Sequence, residues 1–193
     1  MNIPPFTVIR SKRKTLGIQV TEDGRVVVRA PLRCPKAEIA CFVEAYSGWI
    51  EKKQRQALEI KSRADAAGCL SEREISALSS SMKKALPEKL RHFASLLKVS
   101  YGKVTVRCQK TKWGSCSSKG NLNFNCLLML APEAVLDYVI VHELCHIIHP
   151  DHSKAFWAEV ERILPGCKQQ RAWLKNNGGL LMARAKAGED PRE

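Results

Sequence analysis

The chain has no Cys-x-x-Cys pair, although it carries eight cysteines in 193 residues. Without that spacing a structural zinc knuckle is disfavoured. There is no apolar run near the roughly 20 residues that span a bilayer, so no membrane partner is expected. Met1 to Lys14 holds Pro4, Pro5 and a basic cluster but no apolar signal core. A cytoplasmic protein with reduced thiols is the expectation that follows. Internal repeats are absent as well.

Acidic residues are scarce. The 19 Asp and Glu face 32 Lys and Arg, a net charge of +13. The deficit is uneven. Residues 1–70 carry 13 basic and 7 acidic groups, residues 71–130 carry 11 and 3, and residues 131–193 carry 8 and 9. Between Lys98 and Lys119 there are six basic residues, Lys98, Lys103, Arg107, Lys110, Lys112 and Lys119, and no acid. Such clustering draws an anionic substrate or partner, with a peptide, a nucleotide or nucleic acid as the candidates. A merely solubilising surface is the plainer alternative.

Hydrophobic residues make up 45% of the chain, enough for a real core. Phe6 to Arg10 reads as a strand. Leu16, Ile18 and Val20 alternate with polar or small neighbours, and Asp23-Gly24 turns the chain into a second strand that Pro31 ends. Helical spacing from Ile39 to Ile50 predicts an amphipathic helix, followed by a linker over 61–70. Ser71-x-x-Glu74 is a capping box for the next helix, and Pro87 is placed in the first turn of a further one. Val104 with Val106, and Leu122 with Phe124, predict two strands joined by a connection holding Trp113-Gly114-Ser115-Cys116. Pro132 and Glu133 start a helix running to about Ile148. Ser153 caps another, and a last helix covers about Lys168 to Lys175, before Gly178-Gly179. The expected organisation is an N-terminal lobe over 1–70, a core over 71–183 and a polar tail over 184–193.

One of these helices carries chemistry. Residues 134–148 are apolar on nearly every side, so the helix is buried. Yet it contains His142, Glu143 and His146. Buried imidazoles and carboxylates are costly unless paired or metal-bound. Positions 142 and 146 lie one turn apart on one face, where two imidazoles can converge on a tetrahedral zinc. Glu143 is rotated away from that face and suits a catalytic base that activates water beside the metal. A third ligand is needed. His152 ranks first on spacing, with Glu159 and Glu161 on the next helix and His149 as alternatives. Asn125 and the loop holding Lys112, Trp113 and Ser115 are candidates to contact substrate; a turn anchored by a core tryptophan is the competing reading of that loop.

These residues resemble the YgjP-like family of small zincin metallohydrolases, related to SprT-like and WLM-type metallopeptidases. The likeness runs from Ser11-Lys12-Arg13-Lys14 through Trp49-Ile50 and Trp113-Gly114-Ser115-Cys116-Ser117. It is strongest from Asn121 to Asn125, at His142-Glu143-Leu144-Cys145-His146, and from His152 to Trp157. Lys112 stands where the family often has arginine. The resemblance implies an α+β, zincin-like core, with an N-terminal antiparallel β-hairpin region and a helical C-terminal part. It also implies zinc on His142, His146 and His152, with Glu143 catalytic. Peptide hydrolysis is the function expected first. A zinc-dependent nucleotide or phosphoester hydrolase and a nucleic-acid-associated zinc module are the alternatives.

Overall fold

The computed structural model describes residues 4–186. They form an α+β chain of two compact units, Met1–Ala66 and Ala67–Glu193. No described helix is long and apolar enough to cross a membrane.

In the first unit, β1 (Phe6–Ser11), β2 (Gly17–Val20) and β3 (Val26–Pro31) form a mixed sheet in the order β1-β3-β2. The expected hairpin is present. Thr21 to Arg25 makes the turn, with Gly24 at φ 81°, and Ile18 pairs antiparallel with Val28. The region is not purely antiparallel, because β1 joins the other edge of β3 in parallel. The alternate residues Val26, Val28 and Ala30 are buried. Ile39 and Val43 of α1 (Lys36–Ala45) complete this small core with Ile50 of α2 (Ser47–Ala67). The expected linker over 61–70 is helical as far as Ala67, since Ala-rich sequence with no proline offers no reason to stop.

In the second unit, α3 (Glu72–Leu97) opens with the expected capping box: Ser71 Oγ accepts from Glu74 N–H while the Glu74 carboxylate accepts from Ser71 N–H. Pro87 does not divide it into two helices. Met82, Leu86, Leu90, Phe93 and Leu97 form one buried stripe on both sides of the proline. Burying several such side chains, at about 1.5–3 kcal/mol each, outweighs the roughly 3 kcal/mol that an interior proline costs.

A second mixed sheet repeats the topology of the first: β4 (Val104–Arg107), β5 (Gly114–Cys116) and β6 (Leu122–Asn125) in the order β4-β6-β5. Trp113-Gly114-Ser115-Cys116, expected as a connection, thus contributes an edge strand. A 3-10 turn over Cys126–Leu130 leads to α4 (Glu133–Cys145). Lys89 on α3 bonds Glu133 at 2.5 Å and Asp137 at 2.7 Å on α4. Helix α4 has nine buried residues around its circumference and ends three residues earlier than expected, where His146 to Ile148 continue as turns. Then come α5 (Lys154–Ile163), capped by Ser153 as expected, and α6 (Lys168–Lys186).

Helix α6 runs straight through Gly178-Gly179, which the sequence reading had placed beyond a shorter helix. Residues 184–186 of the expected tail belong to this helix, and 187–193 lie outside the described residues. A Cβ on Gly178 would stand 2.8 Å from Cζ2 of Trp113, so the glycine admits an indole ring rather than ending a helix. Gly178→Ala is therefore expected to destabilise the fold by about 1–2 kcal/mol, overpacking outweighing the helix propensity gained. Gly179 is exposed, and Gly179→Ala should be neutral or stabilising. Urea unfolding of the two variants checks the contrast.

Candidate metal centre

His142 and His146 lie on one face of the end of α4, as a four-residue spacing dictates. The chain then turns at Pro150 and returns His152 to them, just before the Ser153 cap of α5. One ring nitrogen from each of the three histidines lies within 4.8 Å of the others. His142 Nε2 and His152 Nε2 are 3.1 Å apart. Tetrahedral ligands at roughly 2.0–2.1 Å from a zinc ion stand about 3.4 Å from one another, so the cluster has the dimensions of a metal site.

The tautomers and charges fit as well. His146 Nδ1 lies 3.1 Å from the His149 carbonyl, the contact that commits this nitrogen to its proton and leaves Nε2 with a free lone pair. Burial first, then the neighbouring His146 and His152, pulls His142 down to about 3. Burial also lowers His146. Both rings are neutral at pH 7, the form that ligates. Nδ1 of His142 is buried without a hydrogen-bond partner.

Aromatic rings hold this cluster in place. Phe156 stacks on His146 at 4.6 Å, and Trp157 lies parallel to His152 at 5.7 Å. Arg171 covers Trp157, with Cζ 4.5 Å from the ring centroid. The places of Phe156 and Trp157, four and five residues after His152 at the start of α5, are the signal in the sequence that they could frame its ring.

Glu143 is 6% exposed and lies outside the histidine cluster. Its neighbour is β5. A Cβ on Gly114 would come within 2.6 Å of Glu143 Oε1, 2.7 Å of Cγ and 2.9 Å of Cδ. Gly114 is thus the residue that lets the carboxylate and the strand share this space, a role the sequence did not disclose. Burial pushes Glu143 up to about 7, against the opposing pull of the Lys112 charge.

The remaining candidates separate. Lys112 is exposed, and its charge is felt at Glu143. Ser115 sits in β5 opposite Asn123. Trp113 packs into the core against Gly178. Asn125 is fully buried: its Nδ2 donates to the carbonyls of Gln109 at 2.8 Å and Lys112 at 2.9 Å, and its Oδ1 accepts from Leu127 N–H. That amide shapes the loop before β5. The two alternative carboxylate ligands are engaged elsewhere, Glu159 with Arg162 and Glu161 with the Gly166 N–H and the Cys167 thiol.

A crystal structure of the metallopeptidase zymogen of Pyrococcus abyssi abylysin matches at 29% identity, over 46% of this chain and 91% of that one, with a TM-score of 0.41. No curated protein matches the chain. The model of the YgjP-like metallopeptidase domain matches residues 14–78 and 70–177, nearly the whole length. The chain belongs to the YgjP-like metallopeptidase-domain family.

Proposed function

We propose that the protein is a zinc-dependent peptidase with a zincin-like core, in which His142, His146 and His152 hold the ion and Glu143 is the general base. The observation that carries this reading is the convergence of three imidazole nitrogens within 4.8 Å beside a buried carboxylate that is not one of them. Three ligands and a separate acid suit a catalytic rather than a closed structural site. When bound, zinc supplies Lewis acidity, polarising the scissile carbonyl and acidifying water at the site.

The chain's own residues do the rest. A carboxylate oxygen of Glu143 takes a proton from the attacking water as the new C–O bond forms. It returns that proton to the amine nitrogen as the C–N bond breaks. β5 is an edge strand. The Trp113 carbonyl accepts from Asn125 N–H of β6 and Ser117 N–H donates to the carbonyl of Asn121 just before it, so by the alternation of an antiparallel ladder the main-chain groups of Gly114 and Cys116 point off the β5 edge. An extended peptide can add there as a further strand, passing Glu143.

The test runs zinc-loaded protein and its chelated form in parallel on an unfolded protein and on a nucleoside triphosphate. Metal-dependent cleavage of the protein alone is expected; hydrolysis of the triphosphate alone would overturn the reading. The ligand set has its own check. His152→Ala should lose its zinc, while Glu159→Ala and Glu161→Ala keep about one ion per chain, read by metal analysis.

The substrate is further proposed to be anionic near the scissile bond. Lys112 is the cation whose charge reaches Glu143, and it lies in the acid-free span from Lys98 to Lys119. Added salt and Lys112→Glu should each lower kcat/KM, and salt should have less effect on the variant. Indifference to both would remove the electrostatic role.

A further inference from the structure

Two of the eight cysteines stand side by side at the end of the β4–β6 ladder. The last paired residues are Arg107 and Asn125, in parallel register, so Cys108 and Cys126 are the next residues after the two strands. Adjacent strands lie about 4.8 Å apart, inside the Cα separations that a disulfide accepts. After burial, the neighbouring Cys108 thiol is what raises Cys126 further, as expected of side chains at matching places past the ladder. Their exposures differ: Cys108 is exposed and Cys126 is completely buried.

We propose that Cys108 and Cys126 form a reversible thiol–disulfide site, oxidised by hydrogen peroxide and reset by a dithiol reductant, that ties the start of the 109–112 loop to the end of β6. The asymmetry assigns the roles. Cys108, which solvent reaches, attacks the peroxide: an S–O bond forms, the O–O bond breaks, and hydroxide leaves to become water with the thiol's proton. Cys126 then attacks the Cys108 sulfur. The S–S bond forms, the S–O bond breaks, and the second oxygen departs as water with the Cys126 proton. Two thiols give up two electrons and two protons, and one peroxide becomes two waters. Cys126, completely buried, is shielded from peroxide until Cys108 has reacted, and it gives its proton to the departing oxygen as it attacks.

The placement gives the bond a consequence. The loop that begins after Cys108 is held by Asn125, the residue before Cys126, through the carbonyls of Gln109 and Lys112. The same loop delivers Trp113 to its place against Gly178 and Gly114 to Glu143. A covalent link at its root adds to those hydrogen bonds a restraint that thermal opening cannot break.

The test uses the whole reduced protein and one equivalent of hydrogen peroxide, followed by alkylation and non-reducing peptide mapping. A Cys108–Cys126 crosslink should form ahead of any change at the exposed Cys41 and Cys69, and a dithiol should reverse it. In Cys126→Ser the Cys108 sulfur should stop at sulfenic acid, trapped by a 1,3-dione. On oxidation of the native chain, amide exchange over residues 109–113 should slow about tenfold. Oxidation of Cys108 no faster than Cys41 and Cys69, a crosslink between other cysteines, or unchanged exchange in the crosslinked protein would overturn the proposal. None of these readouts depends on catalysis.

Discussion

Glu143→Gln is expected to lower kcat about 10³-fold while fold and zinc content stay as in the native protein. Glutamine has nearly the same shape, so the contact with Gly114 survives. The carboxylate is not among the three groups that converge for the metal, so its loss leaves that set intact. Burial already pushes Glu143 up to about 7, so the site holds a neutral group there without distress. What the amide lacks is a basic oxygen. It cannot take the proton of the attacking water, nor hand one to the leaving amine. The measurement is single-turnover cleavage by zinc-loaded variant, with metal content and circular dichroism on the same sample. Turnover within a few-fold of the native rate would show that the proton goes elsewhere.

A loss about tenfold smaller is expected from Gly114→Ala, a change that removes no ionisable group. The added methyl would overlap Oε1, Cγ and Cδ of Glu143 at once. A swing of the carboxyl tip does not relieve a contact that includes Cγ, and a buried side chain on a packed helix has little room to retreat. Glu143 should be displaced from the reacting atoms, and displacement of about 1 Å costs on the order of 10²-fold in kcat. Zinc binding should persist, because the three atoms nearest that methyl all belong to Glu143. The double variant distinguishes this from general damage. In a Glu143→Gln background, Gly114→Ala should cost less than threefold more, since both changes remove one interaction. Full additivity would place the effect of the methyl elsewhere.

Much of the fold could be read from the chain because local and long-range forces agree there. The alternation in β3, the capping box at Ser71 and the Ser153 cap are local signals that packing reinforces. The all-apolar circumference of α4 announced its burial, and the spacing from His146 to His152 anticipated the convergence of their rings. The misreadings occur where packing overrides a local rule. Pro87 has the local signature of a boundary, yet a stripe from Met82 to Leu97 carries the helix past it. Gly178-Gly179 has that of an ending, yet the absent Cβ of Gly178 serves a ring 65 residues earlier in the chain, Trp113. β5 is three residues long, too short for a periodic pattern, and it exists because β6 offers it an edge. At the site, the face shared by His142 and His146 followed from helix geometry alone. The Gly114–Glu143 contact and the commitments of Asn125 could not, because they depend on which strand the fold lays beside α4.

Helix α4 runs through the second unit's core and carries His142, with His146 at its end, so under the proposed function occupancy and folding are coupled equilibria. An ion bound only by the native chain adds free energy to it by mass action, about 4 kcal/mol at a free concentration 1,000 times the dissociation constant. For a domain of this size that is a sizeable fraction of total stability. The apparent melting temperature then becomes a reading of the surrounding metal concentration as much as of the sequence. Under the proposed function a chelator would act toward this chain as a mild denaturant, and a proteolytic enzyme would find the stripped protein open more often than the loaded one.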